Sequence, residues 1–195
     1  LKATPFYYFT ERTLEHMETS NIRNIALLGH GNCGKTSLAE SMLFMTGAID
    51  RLGKVSDGNT TCDYDAEEIS RQISIASAIA PISYNGYKVN VIDCPGFFDF
   101  VGDVHCALRA VEAGIIVVSA KDTASGIAVG AARSFNYLKN ANLPTLFCIS
   151  KCKEENADYA KSLENLREKY GSVVCPVTMP ASDGSGVIDL VHNVA

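Results

Sequence analysis

The chain has 195 residues, 47% of them hydrophobic and 20% charged, the make-up of a globular protein with one sizeable core. Its formal net charge of -5 argues against a domain that grips nucleic acid through a broad basic surface. No apolar run approaches the roughly 20 residues needed to cross a bilayer. The seven cysteines are odd in number, scattered through apolar segments and without a C-x-x-C pair, so they read as free thiols of a reducing cytoplasm rather than disulfides or zinc ligands.

Residues 1–16 stand apart from the rest of the chain. Pro5-Phe6-Tyr7-Tyr8-Phe9 is too short and too aromatic for the core of a signal peptide, and Met17 makes a natural start, so 1–16 read as a fusion remnant or a native arm. The first element is a buried strand at Ile25-Ala26-Leu27-Leu28. It runs into Gly29-His30-Gly31-Asn32-Cys33-Gly34-Lys35-Thr36, which fits G-x-x-x-x-G-K-[ST], and a helix-favouring run from Ser37 to Met45 follows. A strand feeding a glycine turn that opens a helix aims several backbone N–H groups, and the positive end of the helix dipole, at one point. Lys35 adds a cation for terminal phosphates, and the Thr36 hydroxyl can ligate Mg²⁺. Glycine is needed at 29 and 34, where a Cβ would obstruct the turn and the approach of phosphate. The alternative is an ordinary glycine turn, which has no need of lysine, threonine and both flanking elements in register.

The segment from Gly47 to Ser70 is polar, without periodicity, and long for a loop inside a compact domain, which marks it as functional or mobile. Ile73 to Ile79 alternates as a half-buried strand should, Asn85-Gly86 marks a tight hairpin, and Tyr87 to Ile92 returns. Asp93 then ends an apolar strand ahead of Pro95-Gly96. A carboxylate there, beside a phosphate loop, is placed for a nucleotide-bound Mg²⁺ reached through water, and Gly96 can turn its N–H toward a γ-phosphate. An Asp-Pro-Gly turn with no ligand is the plainer reading of the same residues. Ser74 offers a hydroxyl to the same ion from the opposite side, or is a solvent-facing serine on its strand. Downstream, a helix is expected over Asp99–Glu112, a buried strand over Gly114–Ser119, a helix from about Ser125 to Asn140, a strand over Thr145–Ile149, a charged amphipathic helix over Asn156–Tyr170, and a strand-like run over Val173–Val177. Strands alternating with helices, plus one hairpin, predict an α/β fold with a mostly parallel sheet, one antiparallel strand and helices on both faces.

Several ordered runs carry a family resemblance: Gly29 to Glu40, Gly47-Ala48-Ile49, Asp57 to Asp65, Ile69 to Ile75, Asp93-Cys94-Pro95-Gly96-Phe97-Phe98-Asp99-Phe100 and Glu155 to Asp158. From Asn21 onward the chain resembles the translational GTPases, above all elongation factor G and its paralogues, including the ribosomal-protection proteins. The resemblance implies a Ras-like P-loop GTPase fold, with residues 47–75 as the first switch and 93–100 as the second. It implies a GTP-binding core over 17–170 and the start of an inserted subdomain over 171–195, where Gly186 to Val191 has that character. It implies GTP or GDP as ligand with Mg²⁺, a ribosome as partner met mainly through other domains, a cytoplasmic setting, and neither a membrane nor direct sequence-specific nucleic-acid contact. On that reading Gly29, His30, Gly31, Asn32, Cys33, Gly34, Lys35, Thr36 and Ser37 bind nucleotide together with Asp93, Gly96, Ser150, Lys151 and Lys153. Thr36, Ser74 and Asp93 serve the metal, and Lys35, Gly96 and the residue at 97 serve catalysis.

Three departures from the family pattern matter. Phe97 stands where the family has a histidine that positions the attacking water, and a phenyl ring neither donates nor accepts that hydrogen bond. Phosphoryl transfer depends on alignment and charge stabilisation, so slow intrinsic hydrolysis is expected. His105, further along, is an alternative histidine or a plain surface residue. The family's Asn-Lys-x-Asp guanine motif aligns with Ser150-Lys151-Cys152-Lys153, and Lys153 has only donors where the aspartate accepts from the guanine edge. Lys151 can still lie along the base, Glu154 or Glu155 offers a nearby carboxylate, and guanine preference is expected to fall. Asn32 either ligates a monovalent cation or simply tolerates turn geometry. Ser119-Ala120-Lys121 spells the family's last guanine motif but precedes Ser150, so it reads as the end of a strand, with the true motif expected beyond the chain. The competing readings are a pseudo-GTPase acting as a regulatory or ribosome-docking module, and an ATP-using P-loop enzyme.

Overall fold

The computed structural model describes residues 18–121, 126–181 and 186–192. A five-stranded sheet forms the centre, in the order β2-β3-β1-β4-β5. The strands are β1 (Ile22–Gly29), β2 (Ala78–Tyr84), β3 (Tyr87–Asp93), β4 (Ala113–Ser119) and β5 (Thr145–Ser150). All neighbours run parallel except β2, which pairs antiparallel with β3 at the edge. The helices are α1 (Lys35–Met45), α2 (Ala66–Arg71), α3 (Val101–Leu108), α4 (Val129–Asn140) and α5 (Tyr159–Tyr170).

The alternation along β1 divides the core in two. Ala26 and Leu28 face a cluster with Val104 and Leu108 of α3, Leu138 of α4 and Leu166 of α5. Leu27 faces the other way, onto Ala39 and Leu43 of α1, Cys62 and Val91. Period-two alternation on a central strand thus buries one helix layer on each face. The mostly parallel α/β architecture expected of the sequence is the one observed. All seven cysteines are free thiols, with Cys33, Cys62 and Cys94 buried.

Several element boundaries differ from the sequence reading. Ile73 to Ser77 is not strand, and β2 starts only at Ala78. Gln72 closes α2 in a left-handed conformation (φ 55°), and the Glu68 carboxylate then accepts from the N–H groups of Ile75 and Ala76 at 2.9 and 3.1 Å. The apolar alternation there belongs to a loop whose amides go to the side chains of Glu68 and, at Ser77, Asp103, so Ser74 is not a strand residue. The polar stretch before it contains α2, capped by Asp65 and Glu68 in a capping box. The helix expected over 99–112 is a 3-10 turn at Phe98–Phe100 followed by α3, and it stops at Leu108 because Glu112 already bonds to β1 through the Asn24 carbonyl. Ser125 lies outside the described residues, and α4 begins at Val129; α5 begins at Tyr159 behind its Asp158 cap. Val173 to Val177 is irregular. The pairing lies just beyond, where β6 (Thr178–Pro180) and β7 (Val187–Asp189) form a separate hairpin. The arm at 1–16 falls outside the described residues.

Candidate functional site

The parallel strands β1, β3, β4 and β5 end on one side of the sheet, and the loops that leave β1 and β3 meet there. β1 ends at Gly29 with φ 144°, and a Cβ on it would lie 2.5 Å from the Val117 carbonyl oxygen of β4. Gly34 takes a left-handed conformation (φ 97°) and caps α1, so the first amides of α1 open toward the loop. A cavity of about 350 Å³ lies over this turn. Gly31, Asn32, Gly34, Lys35, Thr36, Ser37, Ser74, Gly96, Phe97 and Lys151 all line it. Residues as much as 120 positions apart in the chain therefore share one wall.

The other sequence-named residues stand behind that wall or away from it. The His30 carbonyl accepts from Lys35 Nζ at 2.9 Å. Ser150 Oγ donates to the Cys33 carbonyl oxygen at 2.6 Å, which fastens the end of β5 to the loop. Gly96 packs against Lys35 and the loop backbone: a Cβ there would collide with Lys35 Nζ and lie 2.8 Å from Gly31 N. The Phe97 ring covers Gly31 closely enough that a Cβ on Gly31 would lie 2.8 Å from its Cζ. Lys153 is exposed and does not line the cavity. Glu154 pairs with Lys121 at 2.9 Å, joining the two loops that follow β5 and β4. His105 is exposed on α3, edge-on to the Tyr137 ring at 4.9 Å between centroids.

Asp93 lies opposite Leu27 in the sheet and is 1% exposed, and neither carboxylate oxygen has a hydrogen-bond partner. Burial pushes its pKa up to about 6, against the opposing pull of the nearby Thr36 hydroxyl and Lys35 ammonium. A buried carboxylate with both oxygens unmet is costly unless a cation or water reaches it. Above it, Thr36 Oγ1 and Ser74 Oγ stand 3.2 Å apart. These donors are hard oxygens, and no group of three or more His, Cys, Asp or Glu gathers at a metal-binding spacing among the described residues. That set fits Mg²⁺, which keeps waters and ligand phosphates in its shell and takes few protein ligands.

Sequence reasoning missed Val55, Ser56, Asp63, Arg71, Gln72 and Ile73 as cavity-lining residues. Asp63 is 5% exposed, accepts from Ser74 Oγ at 2.8 Å and from Thr60 Oγ1 at 3.3 Å, and has its pKa raised by burial. Arg71 lines the cavity while paired with Glu67 at 2.5 Å. It also missed Glu40, 1% exposed on α1, whose carboxylate accepts from the backbone N–H groups of Gly53 and Thr61. The capping-box spacing of Asp65 and Glu68 was the one local signal available.

The sequence profile of the elongation factor Tu GTP binding domain matches residues 20–194. The chain belongs to that family. It is a G domain of the translational GTPase family, with a Ras-like α/β fold. The chain is 33% identical over 163 residues to an elongation factor G-like protein of Mycobacterium tuberculosis (strain CDC 1551 / Oshkosh), covering 84% of this chain and 22% of that protein. It is 34% identical over 176 residues to elongation factor G of Gluconobacter oxydans (strain 621H), covering 89% and 25%. A crystal structure of a Thermus thermophilus protein superposes with a TM-score of 0.81 at 35% identity, covering 89% of this chain and 26% of that one. The G domain thus spans about a quarter of the length of these relatives. Members of this GTP-binding family generally use GTP or GDP with Mg²⁺ and act in protein biosynthesis on the ribosome. Among the described residues no helix of this G domain is long and apolar enough to cross a membrane.

Proposed function

We propose that this G domain binds Mg²⁺ with GTP or GDP as part of an elongation-factor-G-like protein, and that its intrinsic hydrolysis is slow. The observation that carries the reading is the junction of an intact phosphate loop with a phenyl ring: Lys35, Thr36 and Ser74 surround the cavity, while Phe97 covers Gly31. Loop amides at 31–37 and Lys35 would hold the phosphates, and Lys35 would have to leave the His30 carbonyl to do so. Gly96 is the residue whose N–H would meet a γ-phosphate, since no larger residue fits there. Thr36 and Ser74 would hold Mg²⁺ directly, and Asp93 through water. Held there by Thr36 and Ser74, the ion would supply positive charge against the negative charge developing on the transferred phosphoryl group. Phe97 excludes water from its side of the cavity without orienting any.

A second reading, a pseudo-GTPase with weakened guanine selectivity serving as a regulatory or ribosome-docking module, is favoured by two observations. Ser150 spends its proton on the Cys33 carbonyl, and Lys153 lies outside the cavity, which leaves Lys151 as the cavity-lining remnant of the base site. The ribosome as partner and the cytoplasm as setting are part of the same proposal. Calorimetric titration with GTP, GDP, ATP and a xanthine nucleotide, with Mg²⁺ present, tests both. Tight binding of GTP and GDP alone rejects the weakened selectivity, and no binding of any nucleotide rejects the first reading. Repeating the GTP titration in K⁺ and in Na⁺ tests a monovalent ion at Asn32, whose left-handed conformation (φ 58°) supports the turn role instead.

A further inference from the structure

We propose that Asp63 is a positioning residue for the cation subsite, orienting the Ser74 hydroxyl by taking its proton; this rests on the Mg²⁺-nucleotide reading above. A hydroxyl has one proton and two lone pairs, and only a lone pair can face a metal ion. Ser74 Oγ donates to Asp63 Oδ1 at 2.8 Å, so its lone pairs are left for the side on which Thr36 Oγ1 stands 3.2 Å away. Thr36 has its own carboxylate close by in the unpartnered Asp93. With the Ser74 proton on Asp63, the 3.2 Å contact is closed by the Thr36 proton, which would turn away toward Asp93 when an ion takes the Ser74 lone pair.

The pair is held on both sides. Thr60 Oγ1 donates to the second oxygen of Asp63 at 3.3 Å. Cys62, next in line, is 4% exposed and plugged into the core with Leu27 and Ala39, which fixes the direction in which Asp63 leaves the backbone. The Ser74 side is fixed by Glu68 through the amides of Ile75 and Ala76. Outer carboxylates of this kind orient a ligand and raise its basicity, and their loss typically costs 10- to 100-fold in metal affinity. A plain tether between residues 60–63 and 74 would also use this bond, but it would not care which way the Ser74 lone pairs point.

The test uses the whole chain loaded with N-methylanthraniloyl-GDP and follows release at increasing Mg²⁺ and in EDTA. Asp63→Asn keeps at most one neutral acceptor, removes the charge behind Ser74 and sets an NH₂ against the hydroxyls of Thr60 or Ser74. It is therefore expected to raise the Mg²⁺ concentration for half-maximal slowing of release by about tenfold or more, with the EDTA rate and the urea midpoint close to wild type. Ser74→Ala is expected to do the same, and the double variant to be no worse than Ser74→Ala alone. Thr60→Val, which leaves the Asp63 charge in place, is expected to move the Mg²⁺ dependence in the same direction by less. The proposal is overturned if Asp63→Asn changes the EDTA rate and the urea midpoint with the Mg²⁺ dependence unmoved, or if its effect adds in full to that of Ser74→Ala. It is equally overturned if Asp63→Asn does not fold and Thr60→Val leaves the Mg²⁺ dependence unmoved. Wild-type release that ignores Mg²⁺ removes the underlying reading, and this proposal with it. Wild-type release that responds while Asp63→Asn responds identically overturns this proposal alone.

Discussion

The Ser150 hydroxyl and the Cys33 carbonyl oxygen are joined by a 2.6 Å hydrogen bond that locks the end of β5 against the phosphate loop. The same hydroxyl lies 3.2 Å from the Val118 carbonyl oxygen, so its one proton is committed to backbone. Ser150 therefore braces the loop rather than reading a base. Ser150→Ala leaves the Cys33 carbonyl without this partner, and is expected to cost about 1–2 kcal/mol in urea unfolding. Affinity for GTP and ATP should fall by the same factor in calorimetric titration. A loss confined to GTP would show that the side chain reads the base after all.

Phe97 makes the complementary prediction about chemistry. Its ring stands over Gly31, at the lip of the cavity where the phosphate loop begins. Replacing it by histidine restores a group able to hold a water by hydrogen bond, an effect typically worth 10²–10⁴-fold where it acts in the transition state. Single-turnover GTP hydrolysis by Phe97→His is expected to rise by at least about tenfold, near the low end of that range because nothing has shaped the pocket around an imidazole. GTP affinity should change little. An unchanged rate means that the phenyl ring is not what limits hydrolysis.

What the sequence made legible was whatever is encoded locally. The β1–loop–α1 unit follows from residue spacing, and Asn85 and Gly86 do take the positive φ angles (48° and 80°) that a tight hairpin asks for. The misreading of Ile73 to Ser77 has the opposite cause. Its apolar alternation is real, but Glu68 takes the amides of Ile75 and Ala76 and Asp103 that of Ser77, and no neighbouring strand does. Sequence pattern reports which face is apolar, not who accepts each N–H. The same limit hid the wall of the site built by residues 55–73. Asp63 meets Ser74 across 11 residues, a pairing without a periodic signature, whereas the meeting of Ser74 with Thr36 was legible through the motifs that carry them. Lys153 illustrates the reverse: position in a motif suggested a contact with nucleotide, while its side chain stands in solvent.

Asp93 predicts a pH dependence whose sign is set by burial. Its pKa of about 6 in the folded chain lies above the ordinary value of about 3.9 for an unfolded aspartate. A carboxyl with a raised folded pKa holds its proton more tightly when folded, so its stabilisation is complete below about pH 4 and is lost as pH rises through 6. The full difference is about 3 kcal/mol. Without divalent cation, urea unfolding of the wild type relative to Asp93→Asn should lose roughly that much between pH 4 and pH 7, with the loss centred on pH 4–6. Comparing the two proteins cancels the titration of carboxylates remote from Asp93, while Asp63 and Glu68, whose charges add to its upward shift, titrate together with it. A difference that stays flat across this range would mean that Asp93 titrates normally.

Glu40 predicts how firmly the first switch segment is held to α1. Its carboxylate is 1% exposed, and its two oxygens accept separately from the N–H groups of Gly53 and Thr61. Gly53 is confined as well: a Cβ there would lie 2.6 Å from the Asn59 carbonyl oxygen and 2.8 Å from Glu40 Oε2. Glutamine keeps the shape but offers one acceptor and one NH₂, so one backbone amide must face a donor. Leaving a buried N–H unmet costs about 1–3 kcal/mol, and Glu40→Gln is expected to lower the unfolding free energy by that amount. Because the lost bonds anchor residues 53–61 and not the sheet, limited proteolysis should cut first within that segment, at a rate well above wild type, before any site in β1 to β5. Cleavage spread evenly over the chain would mean that Glu40 supports the core at large rather than the switch.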